Sequence, residues 1–441
     1  MAHDESTGSG RDASGEPAST DGATTGGRDR RGYWVLMGYA VLFGVAGGLF
    51  SLVFMWILHV GESWYEYTSP GWMGGQWWWI ALTAAAGVVV GLLRMLTRLP
   101  EKTPGLIADI QEANVEPRLI PGVLLVSAAS LIGGASVGPE KALGTFGGGF
   151  GRWLATRTRL SDDDSAAATL SGMGGAYGGL FSSPLIVVVL FVEVVRAGGA
   201  RFTKILMSTV LSSSISFGIY FAIAGAVFLG LYAVPAFEYQ DWYLLAAVGM
   251  GLLSAVVSSV FGAIVTICGA LFARIHLPSI VKSTIGGALF GLIGVMLPLT
   301  MMTGNDQLGV VLTQGSTLGL GLLIVLVIAK MVTMGVSLGS GFVGGPILPS
   351  LFVGGTAGVA LHLALPGLPL GLTFACMLSS VVGGFVSAPF AMVLFAAFTT
   401  QMGALNTAPV LVSVVTSYLA VQAVVHLIAA RREKRSTTAP T

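Results

Sequence analysis

Charge is what this chain has least of. Charged residues fill 10% of its 441 positions, against roughly 25% in an ordinary soluble domain. Residues 205–237, 242–273, 331–361 and 363–425 contain no Asp, Glu, Lys, Arg or His at all. Such stretches cannot coat a water-soluble surface, and a bilayer core asks for about 20 apolar residues per crossing helix. The composition therefore predicts an all-α polytopic membrane protein. Cysteine is scarce too: Cys268 and Cys376 sit in apolar runs and offer neither a disulfide framework nor metal-ligand spacing. His59, His276, His362 and His426 are scattered and form no metal set. The sequence has no His-Glu-x-x-His, Gly-x-Ser-x-Gly or Walker-type loop, which argues against an enzyme and against a bound cofactor. A net charge of +1 leaves no electrostatic footprint for nucleic acid.

Polar text gathers at the two ends. Residues 1–31 are Gly, Ser, Thr, Asp and Arg with almost no large apolar side chain, a composition that predicts a disordered tail. Residues 32–235 and 236–430 read as two transmembrane halves, and 431–441 as a short basic tail. Arg28, Arg30 and Arg31 precede the first apolar stretch, while Arg431, Arg432, Lys434 and Arg435 follow the last. Basic residues stay on the cytoplasmic side, so both termini are expected there, in a plasma (inner) membrane. Loops carrying Arg94/Arg98/Lys102, Arg152/Arg157/Arg159, Arg196/Arg201/Lys204 and Arg274/Lys282 belong on that same side. The acids near Glu62–Glu66, Glu238–Asp241 and Asp306 fit the other, with Trp64, Tyr65, Tyr67, Trp72 and Trp77–Trp79 as an outer aromatic belt.

The halves repeat one another. Gly138-Pro139, seven residues, Gly147-Gly148 matches Gly345-Pro346, seven residues, Gly354-Gly355. Further on, Gly178-Gly179-Leu180-Phe181-Ser182-Ser183-Pro184 matches Gly383-Gly384-Phe385-Val386-Ser387-Ala388-Pro389. Proline suits the first helical turn, where its missing N–H costs nothing, so each Gly-Pro marks a helix expected to begin partway through the membrane. Interrupted helices in inverted repeats aim their N-termini at a midplane site. Their exposed N–H groups and positive dipole ends favour an anion. On that ground Gly138, Pro139, Lys141, Gly345, Pro346, Ile347 and Leu348 are the candidate anion-path backbone. The glycines also suit close helix packing, the expected role of Gly147-Gly148 and Gly354-Gly355.

Glu140 carries the most information. It is the only acid between Glu116 and Asp162, two residues past Gly138 in an apolar region, and an ionisable group at that depth is functional by default. A carboxylate there can take the anion's place and vacate it on protonation. The competing reading is a structural pair with Lys141, although adjacent helical residues do not face each other.

Gly-Gly-Ala-Ser-Val-Gly-Pro-Glu-Lys-Ala (133–142), Gly339-Ser-Gly-Phe-Val-Gly-Gly-Pro-Ile-Leu-Pro349, and the Phe181–Pro184 and Ser387–Pro389 segments together resemble the CLC chloride channels and proton/chloride exchangers. The resemblance runs from about residue 33 to about residue 425. It implies inverted repeats of interrupted, tilted helices, a homodimer with one pathway per subunit, chloride as the carried anion, and Glu140 as the gating glutamate. The departures are specific. The family's Gly-Ser-Gly-Ile-Pro loop falls on Pro100–Pro104, placing Glu101 at the pore serine beside Lys102 and Thr103, the three candidates for an anion-path loop. Pro139 replaces the motif's arginine and Ile347 its phenylalanine. The C-terminal tyrosine has no counterpart. The inner proton-transfer glutamate falls on Val194, with Glu193 one position, or ~100° of helix, away; the resemblance gives Glu193 a structural role. These replacements point to a channel or a carrier weakly coupled to protons. A CLC-like carrier of another anion such as fluoride, and a non-transporting membrane scaffold, are the alternatives.

Overall fold

The computed structural model describes residues 21–67, 76–101, 103–195, 198–225 and 230–437. Trp72, Lys102 and Arg196 lie outside them, as do the ends 1–20 and 438–441. In the first half, apolar runs become α1 (Asp21–Tyr67), α2 (Trp78–Leu96), α3 (Leu106–Glu112), α4 (Ile120–Ile132), α5 (Glu140–Arg157), α6 (Asp162–Leu180), α7 (Pro184–Val194) and α8 (Gly199–Ala224). The second half holds α9 (Trp242–Arg274), α10 (Ser279–Met296), α11 (Asn305–Gly339), α12 (Ile347–Ala364), α13 (Leu370–Val386), α14 (Pro389–Thr400) and α15 (Ala404–Thr437). Eight helical stretches among the described residues are long and apolar enough to cross a membrane. Gly319, at φ 76°, breaks α11 into two helical segments.

Two boundaries differ from expectation. Residues 21–31, expected to be disordered, continue α1, and the basic end through Thr437 continues α15. In both cases a membrane helix already nucleated supplies the costly first turn, and added residues need only propagate it.

Glycine sets the packing. A Cβ on Gly151 would press on Thr169 of α6, and one on Gly358 or Gly354 would meet the α13 backbone at 2.6 Å. The α5–α6 and α12–α13 pairs thus approach backbone to backbone in the same way in each half, as small residues allow in membranes. Contacts between the halves run through α2 with α10 and α7 with α14. Several buried hydroxyls are satisfied within their own helices: Ser130, Thr169, Ser213, Ser379 and Thr399 each donate to a carbonyl one turn back, as suits an apolar setting.

Candidate anion pathway

The two Gly-Pro segments, 207 residues apart in sequence, meet. The Gly138 N–H donates to the Gly345 carbonyl at 2.8 Å and the Gly345 N–H donates to the Gly138 carbonyl at 2.6 Å. This antiparallel bridge uses up both glycine donors. Immediately after it, α5 begins at Glu140 and α12 at Ile347, each preceded by its proline. Neighbouring loops are tied across the same seam: the Val343 N–H donates to Ser130 Oγ, the Ser136 N–H to Ser337 Oγ, and the Met302 N–H to the Gly134 carbonyl.

Glu140 lies at this junction with no exposed surface. Its Oε1 accepts from the Leu348 N–H at 2.8 Å, across the repeat boundary and one residue into α12. Its Oε2 is buried and has no hydrogen-bond donor. A Cβ on Gly138 or on Gly345 would overlap that carboxylate, so the two glycines are the walls between which it fits. Because Pro346 and Pro349 carry no N–H, Ile347 and Leu348 are the donors left in the first turn of α12. One of these two is already spent on Glu140. The carboxylate thus occupies the position that a helix N-terminus otherwise offers to an anion.

Two cavities approach the junction. One, of about 820 Å³, is lined by Trp56, His59, Tyr220, Thr303, Asp306 and Leu348. The other, of about 520 Å³, is lined by Arg94, Glu101, Thr103, Lys141, Phe342 and Pro346. The former reaches the residue that holds the Glu140 carboxylate, and the latter reaches the residue that follows Glu140. Among the described residues no cluster of three or more metal-ligating side chains occurs.

Sequence reading placed Glu140, Gly138, Pro139, Gly345, Pro346, Ile347 and Leu348 together, and they are together. Lys141 is buried beside them, but its ion-pair partner is Asp109 of α3, not Glu140. Glu101 does not face the junction: its side chain is 79% exposed and pairs with Lys282 at 3.4 Å, at the mouth of the smaller cavity. That pairing answers the repulsion a carboxylate at the pore-serine position would cause. Thr103 lines the same cavity. Val194 is packed in the core. Glu193 instead reaches α14, accepting from the Phe390 N–H at 2.6 Å and the Ala391 N–H at 2.9 Å, the geometry of a helix cap supplied from the other half.

Three side chains escaped sequence reading. Asp109 pairs with Lys141 from 32 residues away. Tyr177 of α6, fully buried, donates its hydroxyl to the Glu140 carbonyl at 3.0 Å. Lys330 is wholly buried, donates to the carbonyls of Thr300, Met301 and Met302, and lies 5.1 Å from the Phe352 ring centre. An ionisable residue in a charge-free run was the available signal for Lys330; nothing local marked Tyr177, or Asp109, which lies three residues before Glu112.

Interrupted helices that start back to back from two repeats, around a buried carboxylate with a cavity on either side, define a membrane transport protein of the inverted-repeat class. Residues 102–422 match the family model described as voltage gated chloride channel. That is well over half of the chain, which belongs to this family, the CLC proteins: it is a protein of anion transport and not an enzyme. A curated relative, YfeO of Salmonella paratyphi A, is 26% identical over 365 residues, covering 78% of this chain and 84% of its own. Solved structures agree in fold. A slow cyanobacterial Cl⁻/H⁺ antiporter superposes with a TM-score of 0.74 at 19% identity, covering 88% of this chain and 94% of its own. A CLC-type fluoride/proton antiporter gives 0.74 at 20% identity, covering 87% and 94%.

Proposed function

We propose that the chain carries an inorganic anion, chloride foremost, along a path joining the two cavities, and that Glu140 is its gate. The observation carrying this reading is the uneven state of the carboxylate: Oε1 is held by Leu348, while Oε2 is buried between two glycines without a donor. When ionised, the group fills the anion's place at the half-helix starts. A proton on the carboxyl removes the charge that the helix N-termini attract, so the side chain leaves and the anion enters. Acid therefore opens the path. The apolar Val194 at the inner relay position, with Glu193 engaged as a cap, supports channel-like or weakly proton-coupled flow. The cavity lined by Arg94 and Lys141 is assigned to the cytoplasm, with both termini, and the family resemblance supports a homodimer with one pathway per subunit. A carboxylate fitted this closely has no use in a non-transporting scaffold.

Fluoride is the second reading. It is favoured by the replaced pore serine and tyrosine. One experiment addresses both. Efflux of chloride and of fluoride from liposomes is followed at several pH values for the wild type, Glu140→Gln and Glu140→Ala. A gate closed by one ionised group opens by up to about tenfold per pH unit on its alkaline side. The wild type should show flux rising as pH falls, and both variants should show high flux with little pH response. Folded variants that keep the wild-type response would overturn the gate, and the faster anion decides between chloride and fluoride.

A further inference from the structure

Away from the pathway, a third cavity of about 720 Å³ collects charge at the far end of α5. Arg118, Arg152, Arg157 and Arg159 line it together with Trp153, Thr156 and a single acid, Glu116. Four Arg against one Glu leave the lining three charges positive. We propose that this cavity is a binding site for the phosphodiester headgroup of an anionic phospholipid in the leaflet on the basic side of the membrane.

Depth is the first argument. With Glu140 near the midplane, as the proposed gate requires, a rise of 1.5 Å per residue puts Arg152 and Trp153 about 18–20 Å away along α5. The hydrocarbon half-layer is about 15 Å thick, so these side chains arrive at the level of lipid phosphates. Access is the second. Trp153 is half exposed and ends a row of rings, stacking on Phe150, which stacks on Phe146 and that on Phe50. Such an edge faces acyl chains below and headgroups above.

The arginines are also not needed to finish their helix. Carbonyls of the last turn of α5 are met by backbone donors: the Thr158 N–H bonds Leu154, the Arg159 N–H bonds Thr156, and the Leu160 N–H bonds Ala155. One Arg152 amino group is tied to Ser165 Oγ at 2.8 Å, which orients it, while Arg118, Arg157 and Arg159 stay exposed. Arg159 holds a left-handed backbone at φ 54°, an arrangement non-glycine residues rarely adopt. Charges that served only to orient the chain in the membrane would act equally well spread along the loops. Here they come from the 114–118 segment, the flank of α5 and the following turn onto one concave wall, the pattern of a lipid-headgroup pocket.

The test uses the intact protein in a neutral detergent, titrated with short-chain phosphatidylglycerol, phosphatidylcholine or inorganic phosphate, with thermal unfolding as the readout. Phosphatidylglycerol should raise the unfolding midpoint of the wild type, while phosphatidylcholine and phosphate leave it in place. Arg118→Gln/Arg157→Gln/Arg159→Gln should need at least about tenfold more phosphatidylglycerol for the same shift, and Arg274→Gln, a basic-side control, should behave as the wild type. If the triple variant does not fold, Arg157→Gln alone should show a smaller loss of the same kind. An equal shift with phosphatidylcholine, an unchanged shift in the variants, or a shift produced by inorganic phosphate alone would overturn the proposal. The last result would make the cavity a site for a soluble anion.

Discussion

The two half-helix starts have one backbone and two chemistries. Gly138-Pro139 and Gly345-Pro346 pair with each other and open α5 and α12 in the same manner. Where the first half continues Glu140-Lys141, the second continues Ile347-Leu348. The shared part builds a cradle of helix N-termini, and the unshared part puts a removable negative charge into it. In the proposed mechanism the repeated part forms the anion's place, and divergence at two positions supplies control over it. Making the first half copy the second, residue by residue, separates these contributions.

The largest effect should come from Lys141→Leu, which copies Leu348. It leaves Asp109 buried without its cation, and breaking a buried pair from one side costs about 3–5 kcal/mol. A marked fall in the unfolding temperature in detergent is expected. Adding Asp109→Leu should recover most of it, because replacing both members of a buried pair by apolar groups is close to neutral. No recovery in the double variant would show that Lys141 serves something other than Asp109.

Next comes the cradle itself, where the halves should respond alike. Gly138→Ala and Gly345→Ala each drive a Cβ into the Glu140 carboxylate, and overpacking of this kind costs about 1–3 kcal/mol. Because the carboxylate can escape by leaving the junction, both variants should carry more anion at neutral pH than the wild type in liposome efflux. If only one does so, the glycines are not equivalent walls and the symmetry of the cradle fails.

How much of this was legible in the sequence depended on distance along the chain. Glycine and proline act on their own neighbours, so the helix starts, the repeat and the lone acid could be read directly. The Gly138–Gly345 bridge could be suspected only because the segments are copies. Asp109–Lys141 and Tyr177–Glu140 join residues 32 and 37 positions apart on different helices, and no local pattern records which faces meet. Glu101 lines the smaller cavity, as a residue of that loop can, but its side chain points away from the junction. A position in a loop does not determine direction, and Lys282, 181 residues on, draws it outward.

A smaller effect is expected at the other pair of matched helices. α7 begins after Ser183, whose hydroxyl accepts from the Ile186 N–H at 3.5 Å. Its counterpart α14 begins after Ala388, which has no side-chain acceptor, and borrows the Glu193 carboxylate instead. Losing a cap costs about 0.5–2 kcal/mol, so Glu193→Gln should lower thermal stability modestly. Ala388→Ser, which copies Ser183, should return part of it. Glu193→Gln should also leave anion flux and its pH response near wild type; a collapse of proton movement in that variant would make Glu193 a relay after all.

The smallest effect, and the sharpest on the comparison, belongs to Tyr177. Its counterpart in the aligned block is Val382; among the described residues the matching Ile347 carbonyl is met instead by Ser350 of its own helix at 2.8 Å, so the hydroxyl reaching across from a neighbouring helix belongs to the first half. The space for it is made by Gly144, where any Cβ would collide with the phenol oxygen. The Tyr177 hydroxyl donates to the main-chain carbonyl of Glu140, so in the proposed mechanism it holds the base of the gate while the side chain moves. Tyr177→Phe removes one neutral hydrogen bond, worth about 0.5–1.5 kcal/mol, and stability should fall by no more than that. If the bond keeps the Glu140 backbone in the geometry that presents Oε1 to Leu348, its loss weakens the closed, ionised state, and the pH at which flux is half-maximal should move upward. A purely structural tyrosine would lower the unfolding temperature and leave that midpoint where it was. Efflux measured across the pH range for Tyr177→Phe, beside the pH-insensitive Glu140→Gln, distinguishes the two, because the midpoint depends on the gate's own equilibrium and not on how much folded protein is present.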